Sequence, residues 1–204
     1  MKILMKIISV VFHPLLMATY LSAMLFTKAP ELFPRIMPQV IPEFVLVVFI
    51  TTCLMPALSI FLLRTFAYIS NLELTKRAER LRPFIFIAFY YVASSYLFAD
   101  KLEMGPVFMT VMIGVSVLII ALLIITVWFK ISIHATAIWS GVGFITALMM
   151  TMAVNLGWYY FGLIIAAGLT SSSRLYLGYH QPKEVWSGAI LGFVYSFLTI
   201  IIFL

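Results

Sequence analysis

The stretch Ser171–Gly188, SSSRLYLGYHQPKEVWSG, sets an arginine, a histidine and a glutamate at fixed spacing inside a chain that is otherwise mostly apolar. Arg174 can fork two N–H donors onto an oxyanion, His180 can act as nucleophile or base, and Glu184 can hold that imidazole in one tautomer. Such a set suits attack on an anionic substrate. Taken alone, the stretch has a plainer reading, with Arg174 a positive anchor at a membrane surface and His180 a residue at a helix start.

Two other polar stretches carry the same kind of side chain. Asn71–Pro83, NLELTKRAERLRP, is the most charged part of the chain, and Lys130-Ile131-Ser132-Ile133-His134 separates two apolar runs. Each of the three polar stretches feeds an apolar run through a helix-start residue: Pro83, Ser132 as N-cap, and Pro182. A helix start offers free N–H groups and partial positive charge, worth about 0.3–1 kcal/mol to a nearby anion when exposed. Three converging starts would make an anion cup, to which Lys76, Arg82 and Arg174 add full charges and donor forks. With two histidines on that face, one can attack phosphorus while the other protonates the leaving oxygen. Pro182 at the first helical position puts Glu184 on the first turn, from where it can reach back to His180.

The elements that must position these groups are membrane helices. The chain has 204 residues, 64% hydrophobic and only 10% charged, against about a quarter charged in soluble domains. The expected fold class is all-α, a polytopic membrane helical bundle forming a single domain over residues 1–204, with the motif-bearing core at about 64–204. A net charge of +6 sits at the ends of apolar runs instead of on one polar face, so nucleic acid is not an expected partner. Cys53 is the only cysteine, which excludes a disulfide within the chain.

Apolar runs predict spans at about Ile7–Phe26, Val40–Leu63, Pro83–Ala99, Pro106–Phe129, Ser132–Val154, from Trp158 to the opening stretch, and from Pro182 to the C-terminus. The first resembles a signal peptide in its two lysines and small residues, but its apolar part is long enough to span and is read as retained. The count is then seven, or six if the first run is removed or lies on the surface. His13, beside Pro14 and without an acidic neighbour, reads as a packed or water-facing residue at a proline kink. Counting crossings puts Lys76–Pro83, Lys130–His134 and Arg174–Glu184 on one side of the membrane, flanked by Trp139, Trp158 and Trp186.

Ser173-Arg174, five residues, His180, three residues and Glu184 resembles the third motif of the type 2 phosphatidic acid phosphatase superfamily, SRxxxxxHxxxD. Ile131-Ser132-Ile133-His134 is similar to its second motif, PSGH, and Lys76 to Arg82-Pro83 to its first, KxxxxxxRP, one residue shorter here. The resemblance runs from Lys76 onward, in the family's order. It implies a six-helix phosphatase core, to which the first run adds an N-terminal span. It also implies His180 as the nucleophile that becomes phosphohistidine, Glu184 as its orienting partner and His134 as proton donor to the leaving group. Lys76, Arg82, Ser132 and Arg174 would hold phosphate oxygens, with Arg80 or Arg77 sharing the task of the lysine where the first motif is one residue short, and no metal or other cofactor is required. Two positions depart from the pattern: Glu184 stands for aspartate and Ile133 for glycine.

The implied activity is metal-independent hydrolysis of a membrane lipid phosphate or polyprenyl diphosphate. The substrate would be a phospholipid or isoprenoid phosphate, with membrane lipids as surroundings and a bacterial inner membrane as the expected location. Two rivals remain. One is a metal-dependent hydrolase with His134, His180 and Glu184 as ligands, although the neighbouring arginine and lysine repel a cation. The other is a lipid-phosphate binder or transporter that keeps the cup without turnover. The basic residues favour a cytoplasmic site by the positive-inside rule, whereas many members of the resembled family face outwards.

Overall fold

A computed structural model describes residues 1–34, 36–70, 77–102 and 104–204. Among the described residues all regular structure is helical. The longer helices are α1 Lys2–Val11, α2 Pro14–Lys28, α3 Ile41–Phe49, α4 Met55–Thr65, α5 Leu81–Tyr96, α6 Pro106–Trp128, α7 Ile133–Thr151, α8 Gly157–Tyr176 and α9 Pro182–Phe203.

Prolines and short polar residues set most of the boundaries. Pro14, Pro106 and Pro182 open α2, α6 and α9, where a missing N–H costs no helical bond. Ser132 caps α7, its Oγ accepting the Ala135 amide at 3.5 Å. The first run is not one helix. His13 is extended (φ −67°, ψ 139°), as a residue before proline prefers, and α1 and α2 meet at a bend of 58°. The second run is continuous from Pro38 to Thr65 but passes through a π-helical stretch, Ile50–Leu54, ahead of Pro56. Widening the turn there accommodates the proline's missing donor. α5 begins at Leu81, after a 3₁₀ turn Arg77–Arg80, so Pro83 is its third residue and not its first. It still falls among the four N–H positions that have no helical acceptor.

Five helical segments are long and apolar enough to cross a membrane, or six if the bent α1–α2 pair counts as one. The expected seven included α8, which is 20 residues long but carries Ser171, Ser172, Ser173 and Arg174 in its last two turns and is not among the helices apolar enough to cross. α6 shows the pattern expected beside lipid. Ile113, Val117, Ile120, Ile124 and Val127 form an exposed stripe, while Met112, Ile119 and Leu122 face the protein.

The centre of the bundle is α7, with Ala135, Ile138, Ile145, Ala147 and Leu148 wholly enclosed. It is packed most extensively against α9, and also against α8 and α2. The α7–α9 seam is built from small residues, which let two backbones approach where no hydrophobic drive brings helices together in lipid. A Cβ on Gly192 would run into the Thr136 carbonyl, and one on Gly143 into the Phe193 carbonyl. At Gly188 it would lie 2.7 Å from the Ser132 carbonyl oxygen. The Ser140 and Ser196 hydroxyls pair across the same seam. At its upper end the Ser132 amide donates to the Glu184 carbonyl at 3.0 Å, fixing the start of α7 against the start of α9.

Candidate active site

The polar stretch between α8 and α9 folds back on itself through a glycine. Gly178 has φ +70°, its amide donates to Leu175, and the Tyr179 amide donates to Arg174, which together form a left-handed helix end. The Arg174 guanidinium lies over the Tyr179 ring at 4.6 Å, and Lys130 Nζ donates to the Tyr179 carbonyl at 3.0 Å. This reversal sets His180 just ahead of α9. Gln181 caps α9 in a reciprocal box with Glu184 at the third position. Glu184 Oε2 accepts from the Gln181 amide at 3.2 Å and meets His180 Nδ1 at 2.8 Å. An ionised carboxylate can only accept, so the imidazole proton sits on Nδ1 and the lone pair on Nε2.

His180 opens onto a cavity of about 300 Å³ that is also lined by His134, Arg174 and Arg80. These come from the starts of α5 and α7, the end of α8 and the approach to α9. Arg80 is 2% exposed and donates through Nη1 to the Ile131 carbonyl at 3.1 Å. Arg174, also buried, donates to Ser9 Oγ at 2.7 Å. Burial pushes His180 down to about 4; the hydrogen bond to Glu184 opposes this, and the charges of Arg80 and Arg174 reinforce it. At neutral pH the ring is therefore uncharged and its Nε2 lone pair is available. Burial likewise lowers Arg80, against the pull of Glu184, without taking a guanidinium out of its charged form.

The expected residues are placed as follows. His134, His180 and Arg174 share the cavity, and Glu184 stands behind His180. Lys76 lies outside the described residues. Arg82 does not line the cavity: it is exposed, stacked on the Tyr68 ring at 5.0 Å and donating to the Tyr68 carbonyl at 3.4 Å. Residues two apart differ by roughly 200° around a helical turn, so an inward Arg80 requires an outward Arg82. Ser132 does not line the cavity either. It is wholly buried and its hydroxyl serves the α7 cap, so its part in the site is to hold the α7 start in place. Trp139 donates to Ser171 Oγ at 3.1 Å, and Trp186 is exposed at the start of α9. Trp158 precedes Arg174 by 16 residues of one helix, about 24 Å, and belongs to the opposite end.

His13 sits, as its sequence suggests, packed at the proline bend, but its place in the site was not part of that reading. It lines the cavity, and its ring meets that of His134 edge-on with centroids 5.2 Å apart. A signal was present in the spacing. Lys2, Lys6, Ser9 and His13 fall four, three and four apart, one polar stripe on an otherwise apolar helix, and Lys6 and Ser9 also line the cavity.

Among the described residues no three His, Cys, Asp or Glu side chains converge as a metal-binding group. Compared with protein-family models, with curated proteins and with solved structures, the chain matches none of them.

Proposed function

We propose that this chain is a membrane-embedded, metal-independent phosphatase acting on a lipid phosphate or polyprenyl diphosphate through a phosphohistidine at His180. The observation that carries the reading is the His180–Glu184 pair, 2.8 Å apart, whose histidine lines a cavity shared with Arg80, Arg174 and His134. Glu184 keeps the proton on Nδ1, so Nε2 attacks phosphorus while Arg80 and Arg174 take up the charge developing on the phosphoryl oxygens. The bond from phosphorus to the lipid oxygen breaks, and that oxygen receives its proton from His134, which takes up that proton as the anionic substrate binds and enters the step as an imidazolium. In the second half His134 takes a proton from water, the hydroxide oxygen attacks phosphorus, and the P–N bond returns its electron pair to His180. Inorganic phosphate leaves and both histidines are restored.

An amphiphilic substrate is supported by what adjoins the cup. A narrow apolar cleft of about 90 Å³ runs between α2, α5, α6 and α7 and shares Pro14, Leu15, Phe84, Ile87 and Ile133 with the cup. It extends along α2 from Pro14 to Leu25, about 17 Å at 1.5 Å per residue. A headgroup in the cup thus leaves one hydrocarbon chain in the cleft, inside the ~30 Å apolar layer. Exposed Trp128 and Trp186, at the ends of helices beside the cup, fit its placement at the membrane interface.

Ile133 lines the cup where the resembled motif has glycine, which favours a second reading, a lipid-phosphate binder without turnover. Phosphate release from phosphatidate, phosphatidylglycerol phosphate and a polyprenyl diphosphate in mixed micelles decides between them. The phosphatase reading expects release insensitive to chelator and abolished in His180→Ala. Release that persists in His180→Ala refutes the phosphohistidine route, and orthovanadate binding with no release from any substrate establishes the binder.

A further inference from the structure

We infer that the elbow between α1 and α2 is part of the reacting site and that His13 is an anion-positioning residue within it, donating from Nε2 to an oxygen of the bound phosphoryl group. The inference rests on the phosphoryl-transfer reading of the cup, to which it adds a residue lying far outside the three polar stretches.

Three observations converge. His13 caps α2, with Nδ1 accepting the Leu15 amide at 3.3 Å, so its neutral ring carries the proton on Nε2, the nitrogen at the other edge. That ring lines the cup, half-buried, and abuts His134 at 5.2 Å. One turn earlier, the Ser9 hydroxyl accepts from the Arg174 guanidinium at 2.7 Å. The elbow therefore touches both the group placed to hold phosphate and the group placed to protonate the leaving oxygen. Pro14 makes this geometry obligatory. It keeps His13 extended and breaks the helix where the histidine must turn inward.

A cap alone would explain the Nδ1 bond and nothing else, so the test separates cap from donor. Asparagine is as good an N-cap as any residue but offers no donor where Nε2 lies. His13→Asn is expected to keep the thermal midpoint of the wild type in detergent, whereas His13→Ala lowers it. His13→Asn is also expected to need at least about tenfold more orthovanadate for the same rise in midpoint, and to lose about 10- to 100-fold in kcat/KM, the worth of one hydrogen bond to a charged group. If His13→Asn equals the wild type in both orthovanadate response and turnover, His13 is only a cap and the inference is overturned. A wild type that releases no phosphate, yet is stabilised by orthovanadate more strongly than His13→Asn, removes the phosphatase reading and leaves His13 as an anion donor. If orthovanadate stabilises neither protein, the inference falls.

Discussion

Replacing Glu184 with glutamine preserves the shape of the side chain and removes its charge. In the native site one oxygen, Oε2, serves both the Nδ1–H of His180 at 2.8 Å and the amide of Gln181 at 3.2 Å. The Gln181 amide is a fixed backbone donor, so a carboxamide at position 184 must turn its oxygen, not its nitrogen, to that place. The same oxygen then still faces Nδ1, and the imidazole keeps its tautomer. A loss of about 10⁴, as when a catalytic imidazole is flipped to the wrong tautomer, is therefore not expected. What disappears is the charge assistance to a ring that becomes cationic as it bonds to phosphorus. Hydrogen bonds to charged groups are worth about 1.5–3 kcal/mol and neutral ones about 0.5–1.5 kcal/mol; a difference of about 1–2 kcal/mol is roughly 5- to 30-fold in kcat. Glu184→Ala also removes its half of the capping box, the bond from the Gln181 amide, costing about 0.5–1.5 kcal/mol of stability and a much larger share of activity. Phosphate release in mixed micelles and thermal unfolding in detergent, measured on both variants, provide the check. A glutamine variant as active as the wild type, or as inactive as the alanine variant, refutes the shared-oxygen argument.

Arg80→Ala is expected to lower phosphate release by more than about 100-fold, as loss of an oxyanion donor does, while Arg82→Ala stays within about threefold; the reverse ranking in the same assay would restore Arg82 to the site. Gly192→Ala forces α9 off the Thr136 carbonyl and is expected to destabilise by about 1–3 kcal/mol, seen as a lower unfolding midpoint together with reduced release. His180 has its folded value depressed to about 4 from an ordinary 6.5, so between those two values the unfolded chain takes up the proton first and stability falls as pH drops through that window. The acidic limb of kcat/KM accordingly lies near pH 4, and a limb at 6.5 or above would show that the ring is not neutral in the empty site.

Helix starts were legible because local chemistry dictates them. Pro106, Ser132 and Pro182 announce α6, α7 and α9, and the Pro182–Glu184 spacing forces the carboxylate back onto His180. Which arginine turns inward was not legible, since it depends on the 3₁₀ turn Arg77–Arg80 and on where α5 begins, a phase that one residue's shift alters by about 100°. Ser132 shows the same limit in another form. Its N-cap role follows from sequence, and that role uses the hydroxyl that would otherwise have faced an anion. His13 escaped because its neighbours in the fold, His134 and Arg174, are more than a hundred residues away in the chain. The 58° bend that brings it inward looked like a kink within one span.

The backbone bond from Ser132 to Glu184, with the glycine contacts below it, has a consequence for how such a site can change over time. His134 rides on α7 and His180 immediately precedes α9, two helices locked main chain to main chain, so their separation is set mainly by backbone contacts. The cleft beside them is bounded mainly by α2, α5 and α6, which take no part in that lock. Substitutions along those helices can lengthen, narrow or redirect the tail-holding space while the reacting pair keeps its spacing. Lipid preference can thus drift independently of chemistry, one half of the molecule remaining a fixed jaw and the other an exchangeable wall.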